Sequence, residues 1–304
     1  MISKYTHKNL TWIDMESPNG DEVRSIIDEF GIDPIAAEEL LLPSLKSKVD
    51  LYHNFIYLIL HFPAIKHSFN KEPLQEVDFI IGRDFIITTR YDTVDPIHKF
   101  SKIFEVNSIL DRTNIGEHAG FIFFYMIRKL YRALLHELEY IDSLIQETED
   151  KIFVGKEVDV VKDLSEISRK LLDFEKATSA HKDILESFEV AGERFFGNEF
   201  RYHLHAISSE YYKVSVEIHN QRESVRELRE TNNSLLSTKQ NEVMKIFTIL
   251  AFFTFPLSLI AAIFGMNTVD IPIIGLPHDF WIVMGIIGFV SVVMFIFFRH
   301  RKWI

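Results

Sequence analysis

Asn267 ends a Gly265-Met266-Asn267 triplet that follows an uncharged apolar run, Ile246 to Phe264. A carboxamide offers an oxygen acceptor and an amide donor without a charge. On small, flexible neighbours at the end of an apolar helix, it suits handling of a hydrated species at a pore mouth. Seven-residue steps along the preceding helix collect similar chemistry. From Asn241 they give Asn241, Thr248, Phe255 and Ala262; from Met244 they give Met244, Ala251, Ser258 and Gly265. Together these form one stripe with the spacing of a helical-bundle seam. Larger residues such as Ile246, Ile249, Leu250, Phe252, Phe253, Leu257 and Ile260 mostly fall elsewhere. Nothing in the stripe is charged, so amide and hydroxyl oxygens there touch the hydration shell of a divalent ion without trapping it. Mg²⁺, which gives up water reluctantly, is suited to such a path. Met244, Phe247 and Phe255 supply apolar constrictions that close by dewetting. Small residues also serve close helix packing alone, so pore lining and simple packing both stand on this pattern.

These residues need a membrane to position them. Ile246–Phe264 and Phe280–Phe298 are each about 19 residues, enough to cross a hydrocarbon core of roughly 30 Å. Lys239 and Lys245 precede the first run, Arg299, Arg301 and Lys302 follow the second, and the Met266–Asp279 loop holds no Lys or Arg. The positive-inside rule then places both termini in the cytoplasm. Trp281 and Trp303 stand where interfacial anchors belong. Pro256 removes one helix hydrogen bond, which a membrane helix tolerates where neighbours or water satisfy the freed carbonyl. One or two spans cannot enclose a pore, so a conducting form must be an oligomer.

The rest of the chain is acidic. The net charge is −11, and residues 241–304 carry four basic against three acidic side chains, which leaves −12 on residues 1–240. That argues against nucleic acid as a partner. There is no cysteine, hence no disulfide and no thiolate metal site. The start, MISKYTHKNL, has no apolar core of a signal peptide, so the large N-terminal part is expected in the cytoplasm. No phosphate loop, zinc-hydrolase motif or nucleophile elbow occurs, so no enzyme activity is expected.

Up to about residue 115 the patterns predict a mixed α/β domain. A strand is expected at Leu10–Asp14, helices at Asp21–Phe30 and Pro34–Leu42, and a hairpin of Val49–Tyr52 with Phe55–Phe62 turned at His53-Asn54. A second hairpin pairs Gln75–Ile81 with Phe85–Thr89. His53, His61 and His67 near the first hairpin read as exposed or packed histidines, not ligands, and His203 and His205 are poorly spaced for a chelate. From Gly116 the signal is helical. Phe121–Phe153 and Val158–Phe188 are two predicted helices, and Glu199–Phe264 runs without Gly or Pro until Pro256, one helix of about 66 residues. The expected division is 1–115, a helical hairpin and stalk over 116–240, and a membrane part over 241–304.

Asn241-Glu242-Val243-Met244-Lys245, Phe255-Pro256-Leu257-Ser258, Phe264-Gly265-Met266-Asn267 and the tail Arg299–Ile304 resemble the CorA-type divalent cation transporters. A weaker match covers Gly31–Pro34 through Glu38-Glu39 and the Lys48-to-Leu60 strands. The resemblance implies an α+β cytoplasmic domain with a long helical stalk and two C-terminal transmembrane helices, assembled as a funnel-shaped homopentamer in the cytoplasmic (inner) membrane. It implies passive, gated entry of Mg²⁺, with Co²⁺ or Ni²⁺ as further cargo. Gly265, Met266 and Asn267 form the selectivity filter, Asn241 lies at the inner end, and Met244 and Phe247 lie at the gate. Ser258 stands where the family often has threonine, Phe247 for leucine, Ala262 for glycine and Phe264 for tyrosine. Asp270 is the acid of an outer loop that departs from the usual segment. Mg²⁺ is implied as a regulatory ligand as well, with Glu39, Glu38 beside it, and Glu210 as its acids. A zinc transporter of the same superfamily and a non-conducting membrane-anchored interaction protein are the alternatives.

Overall fold

The computed structural model describes residues 1–44, 46–64, 74–91, 94, 96–102, 117–266 and 272–301. Contacts divide the chain into two compact units, Met1–Arg229 and Glu230–Ile304.

The first unit is built on a six-stranded sheet ordered β1-β2-β6-β5-β4-β3. Its strands are β1 (Ile2–His7), β2 (Leu10–Glu16), β3 (Lys48–Leu51), β4 (Ile56–Pro63), β5 (Leu74–Ile81) and β6 (Phe85–Arg90). Only β2 and β6 pair in parallel; the other neighbours are antiparallel. Both predicted hairpins form, the second reaching Leu74 and Arg90. The edge strand β1 was not expected: its polar Ser, Lys and Thr give a weak strand signal, and pairing to β2 supplies what the pattern lacks.

One sheet face is covered by α1 (Gly20–Phe30) and α2 (Pro34–Glu39), whose Val23, Ile26, Ala36 and Ala37 join Ile13, Tyr57, Ile59, Ile80 and Ile87 in one core. The Asn19 carboxamide accepts from the Asp21 and Glu22 amides, and Glu22 accepts in return from Asn19, a capping box. Gly31 ends α1 at φ 63°, a left-handed position that suits glycine. The next helix is shorter than the expected Pro34–Leu42. Its last turn tightens, with Leu40 N–H on Ala37 O at 3.2 Å and Leu41 N–H on Glu38 O at 3.2 Å. Pro43 disfavours helical geometry in the residue before it, so the turn cannot lengthen.

The other face packs on α3 (Gly120–Phe153) and α5 (His181–Phe196). Phe79 meets Phe123 at 5.1 Å, and Phe62 meets His181 at 5.2 Å. Where one helix over Val158–Phe188 was expected, there are two, α4 (Glu157–Thr178) and α5. The chain breaks at Ser179-Ala180 and so turns His181 into the core, where its Nδ1 lies 2.9 Å from the Tyr131 hydroxyl and its Nε2 2.8 Å from His61 O. Burial drives the His181 pKa down to about 4, so it packs as a neutral ring. Gly192 does not stop α5: a Cβ there would lie 3.0 Å from Leu204 Cδ2, so the glycine permits close packing. After a 3₁₀ turn, Asn198–Phe200, comes α6 (Arg201–Phe264), one unbroken helix of 64 residues as expected. Within the first unit its buried apolar residues are Leu204, Ile207, Val214, Ile218, Val225 and Leu228.

The second unit holds the remainder of α6 and all of α7 (Asp279–His300). Both helices are long and apolar enough to span a membrane, and no residue of either helix's most apolar 18-residue window is buried.

Candidate ion-conduction site

Helix geometry decides which α6 side chains can work together. At about 100° per residue, Asn241, Met244, Phe247, Thr248, Ala251, Phe255, Ser258, Ala262 and Gly265 fall within an arc of roughly 120°. The arc is open along its length: Asn241, Met244, Phe247, Phe255, Ser258 and Ala262 are exposed, and Thr248 and Ala251 are half-buried. Phe255 is 72% exposed, a large cost in water for a side chain with nothing covering it. The Thr248 hydroxyl donates to Met244 O at 2.8 Å, so its proton is held in the helix and its oxygen stays free to accept. Thr254, outside the arc, does the same to Leu250 O at 2.6 Å.

The helix finishes where the triplet begins. Gly265 N–H reaches Ala261 O at 3.0 Å and Met266 N–H reaches Ile263 O at 3.3 Å. A Cβ on Gly265 would sit 3.1 Å from the Ala261 carbonyl oxygen, closer than that backbone atom accommodates without moving. Met266 is exposed. Asn267 and Asp270 lie outside the described residues.

The three acids assigned to regulation differ in surroundings. Glu38 is exposed, and its carboxylate has no partner among the described residues. Glu39 is held by Lys48, whose Nζ lies 2.8 Å from its carboxylate and 2.8 Å from Asp50 Oδ2. Burial pulls the Lys48 pKa down, but hydrogen bonds to Asp50 and Glu39 outweigh it, so the ammonium stays charged. Glu210 is buried between Arg128, 3.4 Å away, and Lys213, 3.2 Å away. Lys48 and Arg128 are the residues that sequence reasoning missed here. Lys48 sits two positions before Asp50 on a strand, a same-face spacing that could have revealed the first pairing; the Arg128–Glu210 contact joins distant helices and leaves no local trace. Among the described residues, no three His, Asp or Glu side chains converge as a metal cluster.

A family model described as CorA-like Mg²⁺ transporter protein matches residues 7–301. Two similar proteins are called cobalt/magnesium transport protein CorA. The one from Thermotoga maritima is 23% identical over 298 residues, 97% of this chain and 83% of that protein. The one from Methanocaldococcus jannaschii is 23% identical over 300 residues, 97% of this chain and 92% of that protein. The complete structure of the CorA magnesium transporter from M. jannaschii superposes with a TM-score of 0.84 at 21% identity, covering 97% of this chain and 92% of that one. It shares the α/β domain, the long helix and the two C-terminal apolar helices. With a family model matching nearly its whole length, the chain belongs to the CorA-like Mg²⁺ transporter family, a family of transporters and not of enzymes.

Proposed function

We propose that this protein conducts Mg²⁺ passively into the cell through a homopentameric pore whose wall is α6. The observation that carries this reading is the uncharged, uncovered arc from Asn241 to Gly265 on a helix long and apolar enough to span a bilayer. A polar stripe facing lipid alone would leave the Asn241 and Ser258 acceptors without hydrogen-bond donors; facing a watery axis, they are solvated. Copies of the chain around that axis would also cover the apolar flanks of both helices. The triplet Gly265-Met266-Asn267 closes the outer end as a ring of carboxamides and backbone groups, with Asp270 drawing cations to the mouth. Both termini and the first unit lie in the cytoplasm. No energy-coupling domain is needed, because moving two charges through 100 mV is worth about 4.6 kcal/mol.

Cytoplasmic Mg²⁺ closes the pore by binding at the α2 acids. Glu38 is the first contact, since its carboxylate is exposed and unpartnered. Glu39 joins only by displacing Lys48, and Glu210 only by giving up Arg128 and Lys213.

Purified protein in liposomes tests the reading. Asn267→Ala is expected to abolish or alter Mg²⁺ uptake reported by an internal dye, while the oligomer keeps five times the 35.6 kDa chain mass. Equal uptake in variant and wild type would remove Asn267 from selectivity. Parallel assays with Zn²⁺, Co²⁺, Ni²⁺ and Na⁺ rank the cargo.

A further inference from the structure

Glu76 and Asp78 lie two residues apart on β5, so both side chains occupy the sheet face beneath α1 and α2. The register sets His61 of β4 opposite Glu76, and Ile59 of β4 and Thr89 of β6 opposite Asp78. Asp78 and Thr89 are completely buried, and Glu76 is 7% exposed. Asp78 Oδ2 accepts from the Tyr57 hydroxyl at 3.2 Å and the Tyr91 hydroxyl at 3.4 Å. Its Oδ1, both Glu76 oxygens and Thr89 Oγ1 have no hydrogen-bond partner among the described residues. His61 Nε2 lies 3.3 Å from Glu76 Oε2 and donates to Ser44 O at 2.8 Å, while its Nδ1 is 2.9 Å from Ser47 Oγ. One imidazole thus ties Glu76 of β5 to the stretch that leads from α2 into β3.

Among the described residues, the elements packed on the pair are these. β4 brings Tyr57 and His61, β6 brings Thr89, and Tyr91 follows it; α2 brings the Glu39 carbonyl, which accepts from Tyr91 at 3.3 Å. Lys48 sits 4.9 Å above the Tyr57 ring and is taken by Glu39 and Asp50. Arg90 points to the opposite face, against Asp14 at 3.1 Å. Among the described residues, two buried carboxyl groups therefore face a single cationic side chain. Leaving the second negative charge unpaired in that setting costs more than taking up a proton. A proton on Asp78 also gives Glu76 the missing donor.

We propose that Asp78 holds its carboxyl proton against Glu76, opposite the His61 imidazole, and that this arrangement clamps the α2–β3 connection onto the sheet, tighter in acid and looser in alkali. The electrostatics agree. Burial first, and the Glu76 charge second, raise the Asp78 pKa well above 3.8. Burial lowers that of His61, but Glu76 and Ser44 outweigh it and leave it above 6.5. Both groups hold their protons more tightly folded than unfolded. Their stabilisation is present at low pH. That of Asp78 is lost as pH rises from 3.8 through its raised folded value, and that of His61 as pH rises past 6.5. Opening the clamp releases the carboxyl proton, and above pH 6.5 the imidazole proton, to water.

The test is amide hydrogen exchange across 44–48 in the full chain in detergent micelles, from pH 5.5 to 8.5, corrected for intrinsic rates. In the wild type the opening equilibrium is expected to rise with pH, approaching tenfold per unit for each proton released. Asp78→Asn should flatten that dependence by one proton and Glu76→Gln, which removes the acid that raises both Asp78 and His61, by at least as much, while His53→Gln, an exposed histidine of the β3–β4 turn, should leave it intact. Opening that is independent of pH in the wild type overturns the proposal. So does a full wild-type slope in either amide variant that folds. The wild-type slope decides the matter even if neither variant folds.

Discussion

The two units of this chain spend apolar side chains in opposite ways. In Met1–Arg229 many of the large aromatics are buried, Trp12, Tyr57, Phe79, Phe123, Tyr131 and Phe188 being at most 1% exposed, while a few such as Phe153 and Tyr202 stay out. In Glu230–Ile304 they stay out, with Phe255 at 72%, Trp281 at 71% and Phe289 at 71%. The first pattern is that of a body stabilised by its own core. The second is that of surface awaiting another solvent or another copy, since exposed apolar patches of this extent do not persist in water. The same helix, α6, takes part in both, with a buried seam before Arg229 and an open arc after Asn241. Burial therefore tells which part of the helix supports the fold and which part is left uncovered.

The contrast can be broken by mutation. The largest effect is expected at the pore mouth, where Asn267→Ala takes dye-reported uptake toward background with the fold unchanged; retained uptake would cut the link between the open arc and conduction. Next, Phe79→Ala should cost about 3–5 kcal/mol in chemical denaturation, because it leaves a cavity against Phe123. Phe289→Ala, the same chemical change in the other unit, should stay within about 0.5 kcal/mol. Similar losses at both positions would contradict the division. Glu38→Ala should raise the Mg²⁺ concentration that half-inhibits flux, and an unchanged titration rejects that acid. Smallest is Asn19→Ala, which unseats the α1 cap and should lower stability by about 1 kcal/mol.

Much of this was readable beforehand. The aromatic and branched residues of Phe55–Phe62 and Gln75–Ile81 announced their strands, and the want of Gly or Pro between Gly197 and Pro256 announced the long helix. What escaped depends on contacts between distant residues. The break at Ser179-Ala180 carries no glycine or proline; it exists because His181 finds Tyr131 and His61. Lys48 and Arg128 look like surface cations until Glu39 and Glu210 are placed beside them. His61 reads as an ordinary packed histidine, and only the sheet register brings it to Glu76. The stripe of small and polar residues on α6 was legible because a helix places its residues by local geometry alone.

Gly265 governs how experiments at the proposed outer mouth are interpreted. Any methyl group there presses on the last carbonyls of the rod before it can meet a permeating ion. Loss of transport in an alanine variant at that position would accordingly record a distorted helix terminus. Changes in ionic preference are better sought one and two steps further on, where a side chain already exists to be exchanged.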